Sequence, residues 1–494
     1  MTIPNDKLAL KKIFSLRGDP VLWTVYFLLI AVSLIEVYSA TSTLTFKNGS
    51  IMRPIIGHGT NLLIGFFCAW IMHNIPCRVF KIGSLVWVFS LALLALMPFI
   101  GTKINDGARW IEILGIRFQP SEFAKGSLVI VVAIILAGFQ TSKGADRHAF
   151  RYILICTILT CLLIFTENFS TAGILFFVVF LMMYIGRVPL KQLGKLLAVL
   201  ILLGAGLIAT IELVPIHQIE KSVPALHRLD NFQQRINRFS SKSDTVEFDI
   251  DKEPQVGHAH IAIAKSHIFG CGPGNSRERD FLPQAYSDFI FAIIIEELGL
   301  AGGAAVVFLY MIILFRASRI ANRCERSFPA FLVLGLALLI VVQAAVNMMV
   351  AVGLIPVTGQ PLPLISRGGS SIMVTSMYIG MMISVSRSAK KRELQPINAE
   401  TPDDTDESAG TTDDKSGNRE SNAGNLEEKS KNETYIAGNI EDKSANTKDK
   451  SAWTGNESAS TEEVSAKTST NTHTATSEAD TIVNEAEFRR TDGI

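Results

Sequence analysis

The amino-acid sequence predicts an all-α polytopic membrane protein of about ten transmembrane helices, with a large outer loop between helices 7 and 8. Three observations lead there. Of the 494 residues 48% are hydrophobic, and these are gathered in long blocks that fill most of the chain up to about Val385. A bilayer core takes roughly 20 apolar residues per helix, and about ten blocks reach or approach that length. Lys and Arg fall in alternate short connections, the pattern of loops retained on the cytoplasmic side.

In order, the blocks run over about 20–40, 54–74, 82–100, 122–139, 152–166, 171–187, 194–215, 288–315, 329–352 and 370–386. The fifth and sixth are short and parted only by Thr166-Glu167-Asn168-Phe169-Ser170. Lys7, Lys11, Lys12 and Arg17 precede the first block, which has no small-residue cleavage site after a short core and so is expected to stay as a span. Arg78 with Lys81, Lys143 with Arg147 and Arg151, Arg187 with Lys191 and Lys195, and the run Arg316, Arg319, Arg323 and Arg326 mark the cytoplasmic connections. Both termini are then cytoplasmic, and the loops 216–287 and 353–369 face outward.

This divides the chain into a cytoplasmic segment 1–19, a membrane domain 20–392 and a cytoplasmic tail 393–494. Past Arg392 the composition turns to Ser, Thr, Asn, Asp, Glu and Lys, too polar to offset the entropy of ordering, so disorder is expected. The near-repeat Gly424 to Ser430 against Gly438 to Ser444 fits slippage in a low-complexity tract. Lys390-Lys391-Arg392 suits a topological stop beside anionic headgroups. The net charge of +1 averages unlike regions and calls for no nucleic acid. None of the six cysteines is spaced as a metal ligand, and Cys271 in the outer loop has no disulfide partner on its side.

Four patches carry the unusual chemistry, and the topology brings all of them to the outer side. The first is Asn105 to Glu112 followed by Phe118 to Lys125. Trp110 suits an interface, Arg109 and Lys125 offer positive charge, and Pro120-Ser121-Glu122 starts a helix whose dipole Glu122 would complement. Lys125, about one turn inside, either acts on a ligand or pairs with Glu122 at i,i+3. The second, Gln255 to Ser276, ends in the glycine-rich run Gly270-Cys271-Gly272-Pro273-Gly274-Asn275-Ser276. It lacks the Lys-Ser/Thr ending and the preceding strand of a nucleoside-triphosphate loop, which excludes that class.

The third patch is Asp288 with Glu296 and Glu297. Asp288 ends a polar loop and begins an apolar segment, where a carboxylate serves either as a helix cap or as a catalytic group at the water boundary. Glu296 lies about 12 Å further along the helix and some 80° around it, so the two acids are no catalytic pair. Glu296 and Glu297 are expected to find partners within the bundle. The fourth is the Pro/Gly-rich stretch Gly353 to Ser371, with Ser366 and Ser370, preceded by Gln343 and Asn347 on one helix face. Irregular backbone at membrane level is tolerated only inside protein or beside a wet cavity. The Gln343 and Asn347 pair reads as interhelical glue.

Gly107-Ala108-Arg109-Trp110, Gln119 to Lys125, Leu282-Pro283 with Asp288 to Ala292, Glu296 to Gly299, and Pro356 to Ser371 together strongly resemble the SEDS proteins, the FtsW, RodA and SpoVE group. The motifs follow in order over about 20–387. Arg17 to Pro20 and Ile35 to Ala40 look closer to the FtsW division branch than to the RodA elongation branch. The resemblance implies a ten-span peptidoglycan glycosyltransferase that polymerises lipid II into nascent glycan strands at the outer face of the bacterial cytoplasmic membrane, at the division septum. Its implied partners are a class B penicillin-binding protein as transpeptidase and other division proteins.

Asp288 corresponds to the family's essential aspartate, and Arg109 and Lys125 to its outer cations. Trp110, Glu122, Ser276, Ser366 and Ser370 join them as expected substrate contacts. No cofactor is called for, beyond a divalent metal ion (Mg or Mn) that such a transfer can use. The chain departs from the family at Asn168-Phe169-Ser170-Thr171, where Pro-Asp-Leu-Gly is usual, at Ser266-His267 for a Gly-Gly pair, and at Arg367 for a tyrosine. The rival readings are a lipid II transporter, a non-catalytic scaffold of the division machinery, and an elongation role.

Overall fold

The computed structural model describes residues 16–40, 52–100, 102–104, 107–113, 116–142, 144–213, 254–282 and 286–393. The expected tail, and part of the loop expected between the seventh and eighth spans, lie outside the described residues. Each of the ten apolar blocks is a helix. They are α1 (Pro20–Ala40), α2 (Met52–Asn74), α3 (Gly83–Ile100), α4 (Pro120–Gly138), α5 (Arg147–Phe165), α6 (Phe169–Ile185) and α7 (Leu190–Leu213). After the short loop helix α8 (Pro254–Lys265) come α9 (Ile290–Asn322), α10 (Ser327–Ala351) and α11 (Gly369–Glu393). Among the described residues eight helices are long and apolar enough to cross a membrane, and α6, with 17 residues, is a shorter apolar one.

The closely spaced fifth and sixth blocks separate cleanly because Asn168 caps α6. Its Oδ1 accepts from the backbone N–H of Ser170 at 3.0 Å and of Thr171 at 3.4 Å, satisfying donors that a helix start leaves open. A helix start also forms at Pro120, the first residue of α4, which suits a residue with no N–H to lose. Between α3 and α4 the chain builds a small antiparallel sheet of β1 (Thr102–Ile104), β2 (Gly107–Ile113) and β3 (Ile116–Phe118), with Ile111 opposite Phe118. Strands this short carry too little alternation to be read from sequence.

Consecutive membrane helices run antiparallel, so α1, α3, α5, α7 and α10 end on the face from which α2, α4, α6, α9 and α11 start. This is called the site face below, and the opposite one the terminal face. Helices α4 and α11 are central, with 72% and 83% of their spanning windows buried, which explains how α11 tolerates Ser376, Ser384 and Ser386. Close approach of α11 to α2 requires Gly380, where a Cβ would stand 2.9 Å from Ala69 Cα. By contrast, Leu197, Ile201, Leu202 and Leu203 of α7 are exposed, as side chains facing lipid would be.

At the terminal face Asp19 joins three helices. Its Oδ1 caps α1 through Val21 N at 2.9 Å and Leu22 N at 3.2 Å, its backbone N–H donates to Ser386 Oγ at 2.9 Å on α11, and Oδ2 takes the Arg316 guanidinium of α9, whose Nε is 3.1 Å away. At the site face α9 is broken at Gly299, which has φ 75° and ψ −178° inside the helix. The break frees carbonyls and N–H groups that the 267–272 segment takes up: Cys271 N donates to Glu296 O at 3.0 Å, Gly272 N to Glu297 O at 2.8 Å, and Ala301 N to Ile268 O at 3.1 Å. A Cβ at Gly299 would also run into the backbone of Ile268 and Gly270. Replacement of Gly299 by Ala is therefore expected to destabilise the purified protein by about 1–3 kcal/mol. Gly173→Ala, at a position with open space around it, leaves the thermal midpoint in detergent where it was; equal midpoints for the two variants would refute this reading of the kink.

Candidate functional site

The segment 353–368, after α10, turns back into the bundle instead of crossing it, and its carbonyls are met one by one by helix side chains. Gln360 O accepts from Asn347 Nδ2 at 2.8 Å, and Pro361 O from Gln343 Nε2 at 3.2 Å, both from α10. Pro363 O accepts the hydroxyl of Tyr310 on α9, and Ile365 O that of Ser33 on α1 at 2.8 Å. The Gln360 side chain donates to Thr171 of α6 at 2.7 Å, and the loop closes on itself through Leu362 N to Ser366 Oγ at 2.7 Å. Leu364 is held at φ 67°, a strained value for a branched residue that its surroundings must enforce.

The same loop grips the turn that carries Asp288. Three successive carbonyls are bonded: Tyr286 O accepts from Arg367 N at 2.9 Å, Ser287 O from Ser366 Oγ at 2.6 Å, and Asp288 O from Asn347 Nδ2 at 2.9 Å. Asn347 thus spans the loop and the turn with one amide, buried at 1% exposure. The Asp288 carboxylate is half-buried, accepts from Ser287 Oγ at 2.9 Å, and lies beside Gly359, where a Cβ would come within 3.8 Å of Oδ2. Helix α9 starts after it, with Phe289 and not Asp288 at the cap position and no side-chain cap bond. The turn fixes the Asp288 backbone one residue before the cap position.

Lys125 proves to be paired. Its ammonium, 1% exposed, lies 2.8 Å from Glu122 Oε1 and donates to Gln343 Oε1 at 3.0 Å, while Tyr378 of α11 donates to Glu122 O at 2.6 Å. Gln343 and Asn347, one turn apart, link the Glu122–Lys125 pair to the Asp288 turn through the loop carbonyls. Gln343 joins α10 to α4 through Lys125, as interhelical glue would, and both amides also anchor the loop. An amide, like the hydroxyls of Ser33 and Tyr310, donates to carbonyls without bringing a charge into the bundle.

Glu296 and Glu297 serve the glycine-rich run on the other side of the kink. Glu296 accepts from Ser276 Oγ and from the backbone of Arg277 at 3.0 Å. Glu297 accepts from Gly274 N at 3.0 Å and from Ser39 Oγ of α1, with Arg279 at 3.6 Å. Ser276 is therefore engaged in holding this loop, and Ser366 in holding the Asp288 turn. Ser370, on α11, is 1% exposed with an unpartnered Oγ. Trp110 lies half-buried on β2, and Arg109 precedes it there with its side chain outside the described residues. Ser33, Thr171 and Tyr310 were not singled out by sequence; a lone hydroxyl inside an apolar run was the signal available. Among the described residues no set of three or more His, Cys, Asp or Glu is arranged to hold a metal ion.

In the loop beyond, Glu278 is buried and takes Lys265 Nζ at 2.6 Å and His258 Nδ1 at 2.7 Å. Burial alone would push its carboxyl up, but the hydrogen bonds from Lys265 and His258 outweigh it and hold the group below the usual carboxylate range.

Ten apolar helices around an inward-folded loop, with a carboxylate turn at one face and a buried ion pair beneath, define a polytopic membrane protein with an enclosed polar site. The family model described as "Cell cycle protein", for the FtsW, RodA and SpoVE group, matches residues 19–391, and the chain belongs to that family. It is similar to the probable peptidoglycan glycosyltransferase FtsW of Halomonas elongata, at 31% identity over 366 residues covering 72% of this chain and 87% of that protein. Its fold is that of a chain in a peptidoglycan synthase complex that coordinates polymerization and crosslinking, with TM-score 0.61, 23% identity and coverage of 76% of this chain and 99% of that one. The rod shape determining protein RodA of Thermus thermophilus superposes with TM-score 0.52 at 23% identity, over 76% of this chain and 98% of that one.

Two outcomes are expected. Asn347→Ala strips a donor from two carbonyls at once and costs about 2 kcal/mol or more, read as a lower thermal midpoint and faster proteolysis within 353–368 in detergent; unchanged stability would refute the anchor. A depressed carboxylate stabilises above its unfolded pKa and loses that contribution as pH falls through the folded value. Hydrogen exchange around α8 and Glu278 should therefore quicken as pH drops below the ordinary carboxylate range, and Glu278→Gln should show no such added dependence.

Proposed function

We propose that this protein is a peptidoglycan glycosyltransferase, polymerising lipid II at the outer face of the cytoplasmic membrane during septal wall synthesis. The observation that carries the reading is the Asp288 turn, a carboxylate whose backbone is clamped through three consecutive carbonyls beside an inward loop. Clamping of this kind holds a reacting group in place without reorganisation at the moment of reaction. The family membership and the likeness to proteins named as glycosyltransferases support it.

In the reaction Asp288 takes the proton of an acceptor sugar hydroxyl as that oxygen attacks the anomeric carbon of the lipid-linked donor. The bond from the anomeric carbon to the diphosphate oxygen breaks, and the polyprenyl diphosphate leaves with the electron pair. A positioned general base typically contributes about 10²–10⁴-fold. The growing charge on the leaving group is met by Arg109 of the β2 hairpin and by Lys125, whose own charge is largely offset by Glu122. Trp110 and Ser370 complete the substrate's surroundings.

A class B penicillin-binding protein is the expected transpeptidase partner, since the glycan strand must be crosslinked as it grows, and the basic clusters at the terminal face favour cytoplasmic termini. A transporter reading drew on the charges within the spans. Most of these are committed to internal contacts, Lys125 to Glu122 and Glu296 and Glu297 to the glycine-rich loop.

Purified protein with its transpeptidase, given lipid II in detergent, should make glycan polymer with no membrane to cross. Asp288→Asn and Asp288→Ala should abolish polymer while keeping the wild-type thermal midpoint. Full activity of either variant would sink the base assignment, and absence of polymer from the wild type would favour the transporter or scaffold.

A further inference from the structure

With Lys125 buried against Glu122, the surroundings of Asp288 hold another cation that no acid offsets. Among the described residues no carboxylate lies within ion-pair distance of Arg367. Arg367 stands where the family resemblance leads one to expect tyrosine, and it is pinned to the Asp288 turn. Its N–H donates to Tyr286 O at 2.9 Å, and its guanidinium lies 5.2 Å from the centroid of the Tyr286 ring.

Directly after it, Gly368 leads into α11, a helix of 25 residues that Gly369 opens, and the first N–H groups of a helix have no intrahelical acceptor. Ser370 sits in that turn, 1% exposed and with an Oγ that finds no hydrogen-bond partner. From α2, Asn61 Nδ2 stands 3.5 Å from where a Gly369 Cβ would be, and His58, one turn earlier, is within electrostatic reach of Arg367. Arg367, the N-terminus of α11, the Ser370 hydroxyl and the Asn61 carboxamide thus lie about the start of one helix. Such a set recognises an anion rich in oxygens, and the fork of an Arg beside a helix N-terminus suits phosphate above a single carboxylate.

We propose that Arg367, the first turn of α11 and Ser370 form a subsite for the diphosphate of the lipid-linked sugar. The identity of the ligand rests on the glycosyltransferase reading; the site itself rests on the geometry. In this chain Arg367 adds an unpaired charge to that of Lys125, which Glu122 largely offsets, on the same loop that clamps Asp288, so the leaving group and the base are held by one element.

The test is equilibrium binding of farnesyl diphosphate to the purified full-length protein in detergent, with farnesol as the tail alone, inorganic diphosphate as the headgroup alone, and phosphatidylglycerol as a competing anionic lipid. Arg367→Gln should weaken farnesyl diphosphate binding roughly tenfold or more and leave farnesol unaffected. Arg367→Tyr, which keeps a ring against Tyr286 and guards against a folding defect, should do the same, and Ser370→Ala should weaken binding to a smaller extent. Gly173→Ala, on α6 with open space around it, should bind within about twofold of wild type. Unchanged affinity in both Arg367 variants, or equal displacement by phosphatidylglycerol, overturns the proposal. Binding is read without turnover, so failure here leaves the role of Asp288 standing, and an active Asp288→Asn removes that role without touching the subsite.

Discussion

Everything at the site face follows from one constraint: backbone that is not helical, placed inside an apolar bundle, must find a donor for every carbonyl from the protein itself. The loop 353–368 meets it with hydroxyls and amides from α1, α9 and α10, while Thr171 of α6 accepts from the Gln360 side chain. Those helices are consequently tied to a common point, and the loop gains a single geometry. Leu364 at φ 67° shows how fully the geometry is imposed, since a branched residue does not adopt it unaided.

The Asp288 turn borrows this rigidity. Ser366, Arg367 and Asn347 are spent on its three carbonyls, so the carboxylate inherits its position from the loop, and the loop inherits its own from the bundle. The break at Gly299 plays the matching part on α9, where the glycine-rich run docks on the carbonyls that the kink exposes and Glu296 and Glu297 bind the N–H groups of the run in return. Buried acids are thereby used as acceptors for backbone donors, which keeps them satisfied without matching each to a cation. Lys125 follows the complementary rule, an ammonium matched by a carboxylate one turn away and an amide across the interface.

The helices were legible because the bilayer demands long apolar runs, and every block read from the sequence became one. The cap at Asn168 explains why even a three-residue polar break between α5 and α6 held. Asp288, Glu122, Lys125 and the 353–371 stretch were visible as polar or irregular features in an apolar context. What they touch was not visible, because a contact such as Ser33 with Ile365 or Thr171 with Gln360 joins positions far apart in the chain by geometry alone. The cap position of α9 falls on Phe289, one residue beyond Asp288, a difference no spacing argument resolves. Gln343 and Asn347 were placed on one face as contacts between helices, which Gln343 makes to Lys125; the loop that both also hold leaves no periodic trace.

The central claim is that a carboxylate held by the inward loop removes the proton that limits glycan polymerisation. The acid limb of the rate tests it most directly: kcat for lipid II polymerisation by the complex with its transpeptidase, followed downward in pH while substrate binding is monitored separately. The account predicts a fall of about tenfold per pH unit once pH drops below the pKa of the base, with lipid II still bound. A rate that stays flat through the carboxylate range would contradict it.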